Sequence, residues 1–433
     1  MNPTVVGLLG TLVLVLAFFS RMPVAYVMTL IGFVGFSYLR GGSAGLALLS
    51  RDFYDVYSSY GLTIIPLFIL MGQIAFNAGI SRKLYDAAYK FLGSTRGGLA
   101  MATIAACTAF GAVCGSSPAT AATMATVGLP EMKRYRYGAE LATGSVASGG
   151  SLGMLMPPSI VMIVYGILTE QSVGKLFVAG ILPAFFITVL FIMTISVYCR
   201  FNPEQGPAGE TFSFREKIRS LSEMSETLIV FLVVMGGLFW GVFTPTEAGG
   251  VGAFGVLLLA LIRGQITWTG FVKSLYETLR TTCMVLLLIA GAVIFGHFLA
   301  VTRIPFSIAS WVGGLALPPF AIIGMIVLVY LIGGCFIDAL ALVMLTIPIF
   351  YPIVIDLGYD PIWFGVIIVL VTQMGVITPP VGINVYVVSG MDRETPLELI
   401  FKGSLPFLIA LIVGTGVLIM LPKFVTWLPD LMY

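Results

Sequence analysis

Charge is scarce in this sequence. Only 10% of its 433 residues are Asp, Glu, Lys or Arg, against about 25% in a soluble globular domain. With 58% of residues hydrophobic, no single core could absorb so much apolar surface, and the chain is expected to be a polytopic membrane protein. A net charge of +2 gives nucleic acid nothing to bind. Histidine is reduced to one, His297, inside an apolar run. A buried, satisfied imidazole is expected there rather than a proton relay. The five cysteines (Cys107, Cys114, Cys199, Cys283 and Cys335) have no paired spacing. They suit small buried hydrophobes better than disulfides or metal ligands. No H-E-x-x-H, Walker loop or C-x-x-C occurs, so the chain is not expected to hydrolyse ATP itself. Gly149-Gly150-Ser151-Leu152-Gly153 matches G-x-S-x-G, but a nucleophile elbow needs a strand–turn–helix setting and an acid–His pair. An intramembrane hydrolase using Ser151 is therefore a distant alternative, and no enzyme is expected. The first residues lack a basic n-region and an A-x-A site, so they suit a spanning helix rather than a removed signal peptide.

What is present is helix breakers inside apolar segments. Residues 149–159 are GGSLGMLMPPS and residues 375–384 are GVITPPVGIN. Each breaks a stretch long enough to cross a bilayer, which is tolerated only where the freed backbone groups face protein or a polar cavity. Continuous spans are expected at 4–20, 23–39, 62–79, 177–199, 226–243, 246–262, 281–300 and 399–421, with broken ones at 138–168 and 361–388. Two longer apolar stretches, 97–128 and 319–350, carry the tips FGAVCGSSPAT and IGGCFIDAL and suit re-entrant helical hairpins. Residues 44–57 and 266–280, the latter with Trp268, suit interfacial helices or ordinary connections. With the N-terminus outside and both hairpins re-entrant, 17 of the 22 Lys and Arg fall on inside loops, from Arg21 through Arg82–Arg96 to Arg393 and Lys402. The positive-inside rule favours that arrangement, and the C-terminus is then also outside.

The two halves repeat. At an offset of 222 residues Pro23 meets Pro245, Pro130 meets Pro352, and Pro157-Pro158 meets Pro379-Pro380, where chance gives roughly half a matched pair. Residues 1–200 form a first repeat, 201–225 a polar linker whose Ser213–Glu216 fits a capping box, and 226–433 a second repeat of inverted orientation. Thr395-Pro396-Leu397-Glu398 fits another capped helix start. The expected fold is all-α: an inverted-repeat membrane transporter with two re-entrant hairpins and two discontinuous helices.

Paired breaks bring half-helix ends together near mid-membrane, where N-terminal amides favour anions and C-terminal carbonyls favour cations. A hard cation such as Na⁺ needs only oxygen ligands. One candidate site draws on Gly111, Ser116, Ser117, Ser148, Gly149, Gly150 and Gly153. The second draws on Gly333, Gly334, Gly375 and Thr378. Close helix packing is the alternative use of such small residues. Asp338, an ionisable group in an apolar segment, is a functional candidate by default. Arg303 suits either a partner for Asp338 or for an acidic substrate, or a snorkelling anchor. Glu140 and Glu247 sit where a helix dipole favours them.

GSSPAT, GGSLGMLMPPS and GVITPPVGINVYV together resemble the large membrane subunit of TRAP (tripartite ATP-independent periplasmic) transporters over nearly the whole chain. The resemblance implies sodium-driven uptake of a small organic-acid anion, such as sialic acid or a C4-dicarboxylate, across the bacterial inner membrane. It implies two partners, a small four-helix membrane subunit and a periplasmic substrate-binding protein. It also implies an elevator mechanism, with substrate near Ser116, Ser117, Ser159, Arg303 and Asp338. Because the chain starts at its first span, the unfused form is expected. A stand-alone divalent-anion/sodium symporter and a passive anion channel are the other readings.

Overall fold

The computed structural model describes residues 2–18, 22–313 and 317–432, and every regular element among them is helical. Residues 19–20 of the expected first span, and Arg21, lie outside the described residues. The first half runs α1 (Pro3–Phe18), α2 (Val24–Arg40), α3 (Gly42–Ser58), α4 (Ile64–Asn77), α5 (Ile80–Leu92), α6 (Gly98–Cys114), α7 (Ser117–Arg134), α8 (Ala139–Ser151), α9 (Ile160–Leu168) and α10 (Val173–Phe201). The second runs α11 (Phe214–Phe239), α12 (Pro245–Ile262), α13 (Trp268–Thr302), α14 (Ile304–Gly313), α15 (Pro319–Gly334), α16 (Ala339–Asp356), α17 (Pro361–Gly375), α18 (Ile383–Met391), α19 (Leu397–Met420) and α20 (Pro422–Met432). Among the described residues, 6 helices are long and apolar enough to cross a membrane.

The proline register carries into the helices. Both bounds of α16 lie 222 residues beyond those of α7, and the starts of α8 and α17 keep the same spacing. α6 and α7 form one helical hairpin and α15 and α16 the other. Neither Pro-Pro segment is helical: α8 and α9 flank the first, α17 and α18 the second.

Two expectations for the connections change. Residues 266–280 are not a separate interfacial segment: from Trp268 onward they are the first part of the 35-residue α13. Its first-half counterpart is divided into α3 and α4 by a 3₁₀ turn at Tyr60–Thr63. The reason is local: Gly61 and Pro66 interrupt the first copy, whereas residues 280–285 (RTTCMV) hold no breaker. The basic stretch after α4 is a helix, α5, rather than a loop. Ile80, Leu84, Tyr85 and Ala87 form its buried stripe, the spacing of an amphipathic helix.

The linker is anchored, not free. Its backbone bonds to first-half loops at Gly97 N–Gly206 O (2.8 Å), Gly138 N–Gln205 O (2.9 Å) and Gly209 N–Gly93 O (2.8 Å). The Ser213–Glu216 capping box forms as expected, and Thr244 with Glu247 makes a second. The expected cap at Thr395 does not form. Pro396 precedes α19 without a side-chain cap, and the Thr395 hydroxyl donates to Asp392 instead.

Two layers result. In one, α2 lies along α13, where Gly32 admits the Phe295 backbone and Gly291 meets the Ala25 carbonyl. α4 packs on α12 in the same layer, Gly252 against Met71. In the other, α8 packs between α6, α7 and α19, with Gly144 against the Gly403 backbone. Small residues allow such approach where lipid offers no hydrophobic drive between helices. Four of the five cysteines are buried as expected, but Cys283 is exposed. His297 is satisfied, its Nδ1 lying 2.8 Å from Asp52 Oδ2, yet its side chain is 47% exposed. The burial belongs to Asp52 instead, only 4% exposed.

Candidate functional site at the hairpin tips and helix breaks

Each hairpin tip plugs into the break of its own half. Gly115 turns the first tip in the left-handed region (φ +64°), and its carbonyl accepts from Ile160 N (3.4 Å). A side chain there would strike the Pro158 carbonyl, so the turn needs glycine. Behind it, a Cβ on Gly111 would sit 2.8 Å from Gly153 Cα. In the second half the Cys335 carbonyl accepts from Val381 N (3.2 Å), and a Cβ on Gly334 would sit 3.2 Å from Gly375 Cα. An offset of 222 residues from Gly111 falls on Gly333, not Gly334. Gly333 faces Leu342 instead, its Cβ position 2.7 Å from Leu342 Cδ1. Both Pro-Pro peptide bonds are cis.

A cavity of about 110 Å³ opens where the tips meet. Ser116 and Ser117 line it from one hairpin, Asp338 from the other, Met154 and Val376 from the two breaks, and Thr281 from α13. Ser116 and Asp338 lie 222 residues apart, each as the N-cap residue of its helix. Asp338 Oδ1 accepts from Leu340 N (3.0 Å), while Ser116 makes no side-chain cap. The start of α7 and of α16 therefore offers amides to this space, and the ends of α6 and α17, at Gly115 and Val376, bring carbonyl-end polarity. Among the described residues no three His, Cys, Asp or Glu cluster to hold a metal ion. The donors at the tips are hydroxyls, main-chain groups and one carboxylate, a set suited to a hard monovalent cation and a polar anion.

Sequence reasoning passed over Asn384, which is fully buried at the start of α18. Its Nδ2 donates to the Ala147 carbonyl of α8 (2.9 Å), and its Oδ1 accepts from Ser117 Oγ (2.9 Å). Its own N–H bonds the Val376 carbonyl (3.0 Å). One amide thus ties a tip of the first half to a break of the second. The available signal was a polar amide in an apolar stretch directly after a break.

The remaining candidates divide. Ser148 Oγ is buried without a hydrogen-bond partner, as an oxygen awaiting a ligand would be. Gly149 and Gly150 pack against Cys107 and Ala121, and the Leu152 N–H reaches both their carbonyls. The Gly333 carbonyl accepts from Phe336 and Ile337, and that of Gly375 from Thr378 N. Thr378 Oγ1 donates to Met374 O (2.6 Å). Ser159 is not drawn into the cavity group: its hydroxyl donates to Met154 O and accepts from Met162 N (3.3 Å), capping α9. Arg303 is not brought to Asp338. It is exposed at the end of α13 with a left-handed backbone (φ +56°). Ser151 donates to Ser148 O (2.7 Å), and His297 is engaged with Asp52 elsewhere, so no nucleophile–base pair forms.

Ion pairs clamp the same bundle at its far end. Lys133 at the end of α7 reaches Asp392 (2.8 Å) and Glu394 (2.9 Å) beyond α18, and Lys402 on α19 reaches Glu140 on α8 (3.0 Å). Burial opposes charge on Asp392, but hydrogen bonds from Lys133 and Thr395 and the Lys133 charge outweigh it, holding the carboxyl below its ordinary value. Hydrogen bonds to Asp392, then Glu394, raise Lys133 in turn.

Comparisons with known proteins agree on one family. The model described as "Tripartite ATP-independent periplasmic transporter, DctM component" matches residues 10–424. A C4-dicarboxylate TRAP transporter large permease protein from Pseudomonas aeruginosa is 37% identical, covering 88% of this chain and 89% of that protein. A sialic acid TRAP transporter large permease protein from Vibrio cholerae is 30% identical over 95% and 96%. Among solved structures, the Alcanivorax borkumensis YdaH transporter superposes with TM-score 0.64, covering 99% of both chains at 15% identity, a likeness of fold alone.

Proposed function

This chain belongs to the DctM-component family of tripartite ATP-independent periplasmic transporters, and from that membership we propose that it imports a small organic-acid anion together with Na⁺. It is a multi-pass membrane transporter subunit and not an enzyme. The relatives' names cover a C4-dicarboxylate, sialic acid and isethionate, which share only a small organic skeleton and an acidic group. The solute proposed here is accordingly a small organic-acid anion. The proposed partners are a small membrane subunit and a periplasmic protein that delivers the solute. The proposed setting is the bacterial inner membrane with both termini outside.

The observation that carries this reading is the cavity lined by both hairpin tips and both breaks. Dipoles of opposite sense converge there from helices that end inside the protein, the arrangement that suits a cation and an anion held side by side. Ser117, Ser148 and the nearby main-chain carbonyls are the oxygens offered to sodium, and the Ser116 hydroxyl is offered to the solute. Asp338 is proposed to sit on the cation side of the solute, since a bare carboxylate beside an anionic solute would repel it. The hairpins, breaks and α10, with α19 and α20, form the proposed moving body. The α2–α13 and α4–α12 pairs form the proposed fixed frame. Thr281 of α13 at the cavity edge supports putting the sliding surface there.

The test is uptake into proteoliposomes carrying this chain with its small subunit, supplied with the binding protein. The expected result is accumulation under an inward Na⁺ gradient, none under K⁺, and none without the binding protein. Equal uptake without Na⁺ would remove sodium coupling. Uptake by this chain alone would favour a stand-alone symporter.

A further inference from the structure

We propose that Asn384 sets the hydrogen-bonding sense of Ser117, so that the two consecutive serines of the first hairpin tip serve opposite partners. Ser117 Oγ becomes a lone-pair ligand for a small hard cation, and Ser116 Oγ stays a donor for the anionic solute. This inference rests on the sodium-coupled reading above.

The geometry leaves little choice of direction. The Ala147 carbonyl can only accept, so the Asn384 group 2.9 Å from it is the amide NH₂. That turns the Asn384 carbonyl oxygen toward Ser117, 2.9 Å away. A carbonyl oxygen cannot donate, so the Ser117 hydroxyl spends its only hydrogen on Asn384. What remains on Ser117 Oγ is a pair of acceptor sites. Ser117 is 2% exposed and lines the cavity, so those lone pairs have no bulk water to satisfy them. An acceptor-only oxygen repels a carboxylate and attracts Na⁺. Ser116, by contrast, is only partly buried and makes no cap hydrogen bond, so its hydroxyl hydrogen can be directed at an anion.

A second observation lies on the helix that Asn384 bonds. Ser148 follows Ala147 directly, and its buried Oγ has no hydrogen-bond partner. The helix that receives the Asn384 amide thus also carries an unsatisfied hydroxyl oxygen one residue on. The end of α6, immediately before the tip, adds carbonyl-end polarity of the sign a cation needs. Asn384 does not itself touch the ion in this proposal; it is a positioning residue acting through Ser117.

The experiment measures Na⁺ binding by the purified full-length chain, read as stabilisation against heat over a NaCl titration at ionic strength held constant with choline chloride. Ser117→Ala and Asn384→Ala are each expected to raise the Na⁺ midpoint about tenfold or more, the usual effect of removing a ligand or the group that orients it. The double variant is expected to be no weaker than Ser117→Ala alone, because both changes remove the same contribution. Ser117→Thr, which keeps the hydroxyl, should restore the midpoint. Asn384→Asp keeps an acceptor for Ser117 and guards against a folding defect in Asn384→Ala: it should still respond to Na⁺. The proposal is overturned if Asn384→Ala leaves the midpoint unchanged, if the two losses multiply in the double variant, or if Asn384→Asp is folded yet blind to Na⁺. A wild-type chain with no Na⁺-specific stabilisation would instead overturn the sodium reading itself.

Discussion

Replacing Asp338 separates two roles that the structure gives one side chain. Its Oδ1 caps α16 through Leu340 N at 3.0 Å, and its carboxylate faces the cavity between the tips. Asp338→Ala removes both. Loss of an N-cap costs about 1 kcal/mol, so this variant should be slightly less stable as well as inactive. Asparagine caps a helix as well as aspartate does, so Asp338→Asn removes the charge alone. A unit charge about 4 Å from a bound cation, at an effective dielectric near 20, contributes roughly 4 kcal/mol, or about a thousandfold in affinity. That figure is a ceiling, since desolvation of the carboxylate opposes it. The assay pairs Na⁺-driven uptake over a range of Na⁺ concentrations with thermal unfolding of the same preparations. The expected result is wild-type stability for Asp338→Asn with uptake lost, and a modest stability loss for Asp338→Ala with uptake equally lost. If Asp338→Asn transports normally while Asp338→Ala does not, the residue is only a cap and the charge argument fails.

Other outcomes follow from the same contacts. Gly375→Ala drives a methyl into the Gly334 backbone, and such overpacking costs about 1–3 kcal/mol; a large fall in Na⁺-dependent uptake is expected, whereas Gly333→Ala meets only the Leu342 side chain and should be mild. Equal effects from the two, in parallel uptake assays, would undo the packing distinction. Ser159→Ala should lower stability by about 1 kcal/mol through its lost cap while the half-saturating solute concentration stays unchanged, because that hydroxyl is already engaged at both ends. Lys133→Met should lower the melting temperature at neutral pH. Since Asp392 is held below its ordinary value, the pair's contribution is full above the usual carboxylate range and fades as pH falls through the lowered value. Lys133 is raised, so its contribution is full below the usual lysine range and fades as pH climbs through the raised one. The gap between Lys133→Met and wild type should therefore close in acid and again in strong alkali; a gap unchanged in acid would remove Asp392 as the partner.

Much of the architecture could be read before any coordinates. Proline and glycine act locally, so the two breaks, the two tips and the 222-residue register were visible as interruptions in apolar runs. The same local logic found the Ser213–Glu216 box. What escaped was long-range. Asn384 looks ordinary in sequence and matters only because folding brings Ser117 and Ala147 to either side of it. Arg303 and Ser159 were plausible by residue type, but the first ends a helix away from Asp338 and the second caps its own helix. Gly333 and Gly334 both stand out in sequence as a glycine pair at a tip, and only folding shows that Gly334 is the one that meets Gly375. The unbroken α13 is hidden in sequence because the mixed charge and aromatics of residues 266–280 suit an interfacial helix or a connection as well as they suit one end of a long rod.

That unbroken rod has a mechanical consequence. Thirty-five residues of helix measure about 52 Å, against a hydrocarbon layer of roughly 30 Å. Such a mast must lean or protrude. Its counterpart, jointed at Tyr60–Thr63, can change direction at the joint. The two counterparts thus differ in stiffness: one is a continuous pylon beside the cavity, and the other carries an elbow.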